Sequence, residues 1–272
     1  MQKRHTDRHL YFKEQEYTTE KYILPFIEKG SPVTPGMRIL EVGCGEGGNL
    51  KPFLERGCHV TGVDLSEGKI ELARTFYADI PGRERVELIS ADIYKLPVPP
   101  GKFDVVVMRD VIEHIHDQER FMGFISHFMH RGSRFFLAFP PWQNPFGGHQ
   151  QICRHRLLAK LPWIHLLPHR LYRGLLRAGG ENAVTIANLE EIRDTRLTIE
   201  RFEKIFRQAG YQLAEKQHFL VNPIYEVKFG LRPRSQARWL AAIPGVRNFL
   251  TTSAYYLLVP GTGLTEKEPS RS

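Results

Sequence analysis

A glycine-rich turn at residues 39–49, with the sequence ILEVGCGEGGN, constrains the fold of this chain more than any other segment. The apolar run before it predicts a buried strand, and the residues after it predict a helix. Glycines in such a strand–turn–helix let the backbone approach a bound ligand closely. Asp64 ends a second apolar run about 20 residues after Gly43, where a carboxylate is placed to accept hydrogen bonds from ribose hydroxyls. The sequence therefore predicts half of a nucleotide-type site.

The glycine spacing alone does not identify the class of enzyme. Gly43, Gly45 and Gly48 match the G-x-G-x-x-G pattern of dinucleotide-dependent enzymes, which is a weak signal. Three further features discriminate between the classes. They are Glu41 before the first glycine, ADI at 91–93 after a third apolar run, and the buried-strand pattern FDVVVMRD at 103–110.

Four ordered motifs, ILEVGCGEGG, GVDLS, ADIYKLP and FDVVVMRDVIEHI, resemble those of the class I S-adenosylmethionine (SAM)-dependent methyltransferases. The resemblance covers residues 36–140 and, through LTIERF and AGY, residues 197–220. It implies an α/β fold, a Rossmann-like three-layer sandwich. Its sheet would have seven strands, mostly parallel with an antiparallel last strand, and a helical lid insertion would be added to it.

Alternating strand and helix patterns predict the same parallel sheet with right-handed crossovers. Strands are predicted at 37–42, 59–63, 86–90, 103–108 and 134–139, and helices at 47–56, 66–78 and 117–131. Ser66 is the expected N-cap of the second of these helices. The later elements are a helix at 198–209 and strands at 212–220 and 254–259, with the last strand antiparallel beside the sixth.

We expect one methyltransferase domain over residues 1–272, divided into a cover, a core and two insertions. Its parts are a helical cover at 1–35, a SAM-binding core at 36–140, a basic lid insertion at 141–196, a C-terminal core part at 197–260 and a tail at 261–272. A second insertion interrupts the core at about 222–250. Tyr11 and Tyr17 of the cover are candidates to lie over the cofactor, although core packing is the alternative for both.

Positive charge is concentrated in the middle of this chain of net charge +8. Between Arg120 and Gly180 there is no Asp or Glu. Three interpretations of this positive charge remain open: a solvated basic surface, a phosphate-bearing substrate and an anionic membrane. Nucleic acid is disfavoured, because no recognition motif accompanies the charge. Residues 150–196 alternate Leu and Trp with basic side chains, which suits a substrate lid or a surface that lies on a membrane.

Several observations favour a cytoplasmic location. The charged N-terminus, MQKRH, lacks the apolar segment of a secretory signal, and no apolar run approaches the length of about 18 residues that spans a bilayer. The three cysteines, Cys44, Cys58 and Cys153, are scattered and no pair has metal-ligand spacing, so a disulfide framework is not expected.

The resemblance assigns cofactor-binding roles residue by residue. Gly43, Cys44 and Gly45 would contact the methionine moiety through the backbone, with Glu41 and Arg109 near the same end. Asp64 would bind the ribose hydroxyls and Leu65 would pack on adenine. Asp92 would accept a hydrogen bond from the adenine amino group, with Ile93 beside it.

Two histidines are candidates for the general base that a hydroxyl acceptor requires. His114 follows the fourth strand, and His149 lies in the loop PPWQNPFGGH after the fifth. Asp110, Glu113 and His114 are also similar to the E-x-x-E-H pattern of the ubiquinone-pathway O-methyltransferases, in which these residues are linked to a divalent cation. This chain has Asp in place of the first Glu. No metal is therefore the main expectation, and Mg²⁺ held by these three residues is the alternative.

The resulting hypothesis is a SAM-dependent methyltransferase, directed at oxygen, that acts on a small or lipid-linked, anionic acceptor. Peripheral contact with an anionic membrane surface is part of this hypothesis. An N- or C-directed methyltransferase is the nearest alternative. A NAD-dependent oxidoreductase and a non-catalytic SAM-binding module are the alternatives from other classes. The sequence leaves the oligomeric state open.

Overall fold

The computed structural model describes residues 7–97 and 102–262. Within them, eight strands form one sheet: β1 (Arg38–Val42), β2 (His59–Asp64), β3 (Val86–Ser90), β4 (Phe103–Arg109), β5 (Met129–Phe139), β6 (Tyr211–Val221), β7 (Arg234–Ser235) and β8 (Ser253–Pro260). The N-terminal segment MQKRH and most of the predicted tail, from residue 263 onward, lie outside the described residues.

The strand order is β3-β2-β1-β4-β5-β8-β6-β7. The first five strands in this order, β3, β2, β1, β4 and β5, are parallel. In contrast, β8 pairs antiparallel with both β5 and β6. The predicted mostly parallel, Rossmann-like sheet with an antiparallel last strand is therefore confirmed. The predicted strand count of seven is one too low, because β7, a two-residue strand in the second insertion, pairs with the edge strand β6.

Helices cover both faces of the sheet. They are α1 (Arg8–Thr18), α2 (Leu24–Ile27), α3 (Lys51–Glu55), α4 (Glu67–Tyr77), α5 (Gln118–Ile125), α6 (His169–Ala178), α7 (Ala183–Thr195), α8 (Ile199–Gln208), α9 (Ile224–Phe229), α10 (Arg238–Ala241) and α11 (Val246–Phe249). Single 3₁₀ turns occur at Arg83–Arg85, Ile93–Lys95, Ile112–His114, Ser126–Phe128, Gln150–Ile152, Leu158–Lys160 and Ile164–Leu166. Ser66 precedes α4 as predicted, although no side-chain capping bond is found for it among the described residues.

Two predicted helices are too long. The one predicted at 117–131 ends at Ile125, and after a 3₁₀ turn the chain joins β5 at Met129, which pairs with Phe103. The one predicted at 47–56 begins only at Lys51, because Gly47 has a left-handed φ of 81° and residues 47–50 form a turn. In both places apolar residues suited a helix locally, but a sheet partner or a glycine turn decided the backbone.

Alternate strand residues contribute to two separate cores, as the two-residue period of a strand requires. Val105 and Val107 of β4 pack with α1 to α4 on one face of the sheet. Val106 and Met108 pack with α5 and α8 on the other face. The basic insertion has a third, smaller core of its own, built from Cys153, Leu158, Ile164, Tyr172, Leu176, Ile186 and Leu189.

The predicted N-terminal helical segment is present as α1, a π-helical segment at Thr19–Ile23, and α2. Its end is bound to the sheet by Arg134 of β5, which is 4% exposed. The Arg134 guanidinium donates hydrogen bonds to the carbonyl oxygens of Ile27, Ser31 and Pro32. One of the basic residues of the 120–180 region is therefore structural and does not contribute to a surface.

No helix within residues 7–97 and 102–262 has the length and apolar character needed to cross a bilayer.

We predict that Arg134→Met lowers the free energy of unfolding by about 1–3 kcal/mol, because carbonyls at the end of α2 lose a buried donor. Urea denaturation of purified protein measures the change. Arg207→Met is the control, since Arg207 is 57% exposed and its ion pair with Glu203 is worth roughly 0.5 kcal/mol. Equal midpoints for the two variants would contradict the role of Arg134.

Candidate active site

A cavity of about 760 Å³ lies at the carboxyl ends of β1 to β5, where the strand order changes direction between β1 and β4. Open α/β sheets bind their ligands at this position. Residues from the ends of these five strands line it, joined by α1 and α9. The residues that line it include Tyr11, Gly43, Gly45, Glu46, Asp64, Leu65, Asp92, Ile93, Arg109, Asp110, Val111, Glu113, His114, Phe146, His149, Ile152, Tyr225 and Lys228.

The glycine turn after β1 is held against β2. The backbone N–H groups of Gly43 and Cys44 both donate to the carbonyl oxygen of Val63, at 2.7 and 3.1 Å. Gly43 has a left-handed φ of 72°, and a Cβ at this position would lie 2.4 Å from a methyl carbon of Val111. Only glycine fits here, because any side chain would collide with the loop after β4.

Asp64 lies at the end of β2 and holds the turn from the other side. One carboxylate oxygen accepts the N–H of Gly45 and the other accepts the N–H of Ser66, both at 2.9 Å. A carboxylate offers about four acceptor positions, so two remain for hydroxyls of a ligand. The predicted ribose-binding residue therefore faces the cavity with acceptor capacity left.

The residues predicted to surround adenine follow β2 and β3 on the same cavity wall. Leu65 is 77% exposed, so its apolar side chain is accessible to a ligand, whereas Ile93 is buried. Asp92 accepts the N–H of Tyr94 through one oxygen at 3.1 Å. All three line the cavity, and their cofactor contacts stay predictions.

A buried polar network centred on Asn49 lies beneath the methionine end of the predicted site. The Asn49 amide donates to Glu41 at 2.6 Å. Its oxygen accepts from the Arg109 guanidinium at 3.0 Å and from the Thr19 hydroxyl at 2.9 Å. Thr19 opens the π-helical segment, a type of distortion that is common at functional sites. Asn49 thereby orients Arg109, which lines the cavity.

Two predicted cofactor residues, Glu41 and Cys44, do not line the cavity. Cys44 is fully buried in the core beside Gly62, and burial raises the pKa of its thiol well above the usual range. Its predicted contact is thus confined to its backbone. Burial raises the pKa of the Glu41 carboxyl to about 8, and its second oxygen has no hydrogen-bond partner among the described residues.

The two predicted catalytic histidines lie together in the loops after β4 and β5, which are separated from β2 and β3 by β1 in the strand order. The rings of His114 and His149 meet edge to face with their centroids 5.2 Å apart. His149 adopts a left-handed φ of 55°, and non-glycine residues in this conformation cluster at functional sites. Burial lowers the pKa of His114 and, with the charges of His114 and His165, lowers the pKa of His149 to about 3. Both imidazoles are therefore neutral near pH 7.

The arrangement changes the predicted metal set. Ligand atoms of Glu113, His114 and His149 lie within 4.8 Å of one another, whereas Asp110 is absent from this group. The Asp110 carboxylate lies 3.6 Å from the Arg109 guanidinium. Glu113 is 3% exposed, and neither of its carboxylate oxygens has a hydrogen-bond partner within the described part of the chain. Burial, aided by Asp110, raises its pKa well above the usual range.

These three groups fit a divalent cation. Neutral imidazoles and an otherwise unpaired carboxylate are what a metal requires, and two imidazoles suit Zn²⁺ better than Mg²⁺.

Sequence reasoning missed several residues of the site. Asn49 was missed, although its place directly after the last turn glycine is a usable signal. Glu46 is 1% exposed and pairs with Arg8 of α1. Lys228 of α9, in the second insertion, was missed as well. Of the aromatic residues in this insertion, Tyr225 lines the cavity, whereas Phe229 and Trp239 are 53% and 70% exposed. Tyr11 lines the cavity, whereas Tyr17 donates to Glu226 of α9 at 3.0 Å.

Comparisons with known proteins match the strongest part of the sequence pattern. A family model described as a methyltransferase domain matches residues 40–137. A ubiquinone biosynthesis O-methyltransferase of Sinorhizobium medicae is 35% identical over 103 residues, which are 38% of this chain and 41% of that protein. A sterol 24-C-methyltransferase of Gibberella zeae is 33% identical over 84 residues, 30% of this chain and 22% of that protein. The chain thus spans less than half the length of these curated relatives.

The fold is shared with solved structures of low sequence identity. Phosphoethanolamine N-methyltransferase 2 of Haemonchus contortus, solved with S-adenosyl-L-methionine, superposes with a TM-score of 0.58 at 16% identity. The match covers 95% of this chain and 58% of that chain. It therefore describes the whole fold, including parts outside the region in which the sequences are similar.

We predict that Glu41→Gln removes a pH dependence of stability from the ligand-free protein. The folded carboxyl stays protonated up to about pH 8, while the unfolded one ionises near 4.5. Unfolding therefore releases a proton between these values, and the wild type loses stability as the pH rises through this window. In denaturant melts, the free energy of unfolding of Glu41→Gln should rise relative to that of the wild type as the pH increases from 4.5 to 8.

Glu71→Gln, at an exposed position of α4, is the control and should follow the wild type at every pH. A constant difference between Glu41→Gln and the wild type across this range would contradict a neutral, buried Glu41.

Proposed function

We propose that this chain is a class I SAM-dependent methyltransferase and that it transfers the SAM methyl group to an oxygen of a small or lipid-linked, anionic acceptor. The observation that carries the proposal is the division of the cavity into two ends. One end has the glycine turn, Asp64 and Asp92, and the other has two neutral histidines. A nucleotide-type cofactor suits the first end and a hydroxyl acceptor suits the second.

SAM would lie along the carboxyl ends of β1, β2 and β3. Asp64 would accept from the ribose hydroxyls, Asp92 would accept from the adenine amino group, and Leu65 would cover the ring. At the methionine end, the backbone at Gly43 and Gly45 supports the cofactor. Arg109, held by Asn49, is available to the methionine carboxylate. The buried carboxyl of Glu41 lies on the other side of Asn49 and stabilises this orientation.

The cofactor supplies the reactive sulfonium methyl group, so the chain's task is alignment and proton removal. Holding the acceptor oxygen in line with the methyl group lowers the barrier by roughly 7–11 kcal/mol. We assign the general base to His114. A pKa of about 3 makes His149 a weak base at neutral pH, so His149 is better suited to orient His114 or the acceptor.

A divalent cation is a second way in which the same residues could assist the reaction. Glu113, His114 and His149 would hold it, and it would lower the pKa of an acceptor hydroxyl that binds to it. Removal of metal from the purified protein distinguishes the two roles, because a base needs no cation.

The choice of oxygen as the acceptor atom rests on the relatives. Curated proteins that match the core include ubiquinone biosynthesis O-methyltransferases and a sterol C-methyltransferase, and a solved neighbour is an N-methyltransferase. An N- or C-directed enzyme is therefore the nearest alternative. A NAD-dependent oxidoreductase would bind NAD and not SAM, and a non-catalytic module would bind SAM without turnover.

The amphipathic character of the acceptor is argued from the basic insertion. Its loop contributes Phe146, His149 and Ile152 to the cavity. Beyond this loop, Leu157, Trp163 and Leu171 are 68%, 41% and 62% exposed. Arg154, Arg156, Lys160, Arg170 and Arg173 are exposed among them. An acceptor with an apolar tail and a negative head suits this composition, as does a lid that closes over it.

We predict that His114→Asn and His149→Asn each lower kcat by about 10²–10⁴-fold, with a larger loss for the base His114. The KM for SAM should change little, because the predicted adenosine contacts follow β2 and β3 and not β4 and β5. His59→Asn, at an exposed position of β2, is the control. If chelation abolished activity and Zn²⁺ restored it, His114 and His149 would be assigned as metal ligands. Full activity of both variants would contradict any catalytic role.

The experiment that tests the function uses SAM labelled in its methyl group with a lysate of the source cell. After incubation with purified protein, the mixture is split into organic and aqueous phases. We expect label in the organic phase, as transfer to a lipid-linked acceptor requires. Label only in the aqueous phase would overturn the lipid-linked acceptor but keep the methyl transfer. No transferred label above a protein-free control would contradict methyl transfer.

A further inference from the structure

The second insertion carries two short helices whose apolar side chains point outward. Trp239 is 70% exposed, and Ile243, Val246, Phe249 and Leu250 are 41%, 46%, 41% and 38% exposed. All five belong to α10, α11 or the turns beside them. We call these five side chains the hairpin surface.

Four polar side chains of the same segment point inward. Gln236, Arg247, Asn248 and Thr251 are 6%, 8%, 0% and 0% exposed. A water-soluble surface segment normally shows the opposite arrangement, with its apolar residues inside.

Hydrogen bonds to the main domain hold this inverted arrangement in place. Glu200 of α8 accepts from Arg247 at 2.8 Å, from Asn248 at 2.6 Å and from the N–H of Gly245 at 2.9 Å. Asn248 also accepts the N–H of Ile199 at 2.8 Å. Burial by itself raises the pKa of Glu200, but these hydrogen bonds lower it to about 2. The carboxylate therefore stays ionised, and the hairpin surface is built into the fold.

The charges around the hairpin surface identify what covers it. Residues 227–262 contain no Asp or Glu, and Arg232, Arg234 and Arg238 are exposed. A second copy of this chain would bring like charges together, which disfavours self-association. An anionic bilayer instead offers phosphate groups to the arginines and an apolar boundary to the Trp, Phe and Ile side chains. This combination is typical of interfacial segments.

We propose that the hairpin surface docks on the surface of an anionic lipid bilayer. Trp239 and its apolar neighbours enter the headgroup boundary, and the nearby arginines bind lipid phosphates. The segment that carries the hairpin surface follows α9, and Ile224 and Tyr225 of α9 line the cavity. Docking therefore brings the second insertion's wall of the cavity to the membrane. The inference is independent of methyl transfer, since it rests on the outward face of this segment alone.

Vesicle co-sedimentation of the full chain, without SAM, tests the inference. The probes are phosphatidylcholine vesicles with and without phosphatidylglycerol, at low and high salt. We expect binding to the phosphatidylglycerol vesicles that weakens with salt, and about tenfold weaker binding for Trp239→Ser. Val184→Ser is the matched control, because Val184 is 69% exposed but lies on α7. It should bind like the wild type, and thermal melts verify that both variants fold.

Three results would overturn the inference. They are the absence of binding to either vesicle, equal binding by Trp239→Ser and the wild type, and a wild-type dimer in light scattering that Trp239→Ser converts to a monomer. The last would assign the hairpin surface to a second copy. Because no methyl group is transferred in this assay, its failure would leave the proposed function untouched.

Discussion

The change of chain direction between β1 and β4 is the constraint on which the rest of the structure depends. The chain runs outward from β1 to β3 and then returns to β4 on the other side of β1. The helices that follow β1 and β4, α3 and α5, therefore lie on opposite faces of the sheet and leave a crevice at the carboxyl ends of the strands. Gly43 lies under Val111 at this point, so the turn and the β4 loop pack without a side chain between them.

Buried polar groups surround this crevice at a cost to stability. Glu41, Glu46 and Glu113 are each at most 3% exposed, and each has a carboxylate oxygen without a hydrogen-bond partner among the residues described. A buried carboxyl in this condition is expensive unless it is neutral or pairs with a cation. Burial raises the pKa values of the Glu41 and Glu113 carboxyls, which favours their neutral forms, whereas Glu46 is paired with Arg8.

The two insertions share two features although they are held in place differently. Each contributes side chains to the cavity and presents apolar and basic side chains to the outside. The first has its own small core, and the second is fastened to α8 through Glu200. A lipid-linked acceptor and a docked hairpin surface would both lie at the membrane surface. The proposed acceptor and the proposed docking surface are therefore compatible.

The parallel core is predictable from the amino-acid sequence alone, because short apolar runs and turn glycines are local signals. The sequence also predicted that Asp64, Asp92, Arg109, His114 and His149 lie at one edge of the sheet, because each follows a strand, and all five line the cavity. It could not determine where α5 ends, since the pairing of Met129 with Phe103 depends on a distant strand.

The combinations of distant residues depend on the three-dimensional packing of the elements. Asn49 joins Thr19, Glu41 and Arg109, which no spacing pattern relates. His149 replaces Asp110 beside Glu113 and His114, because the loop after β5 folds back over the β4 loop. The outward face of α10 and α11 follows from hydrogen bonds of Arg247 and Asn248 to Glu200. Local patterns predict elements, whereas contacts between elements select the partners of each side chain.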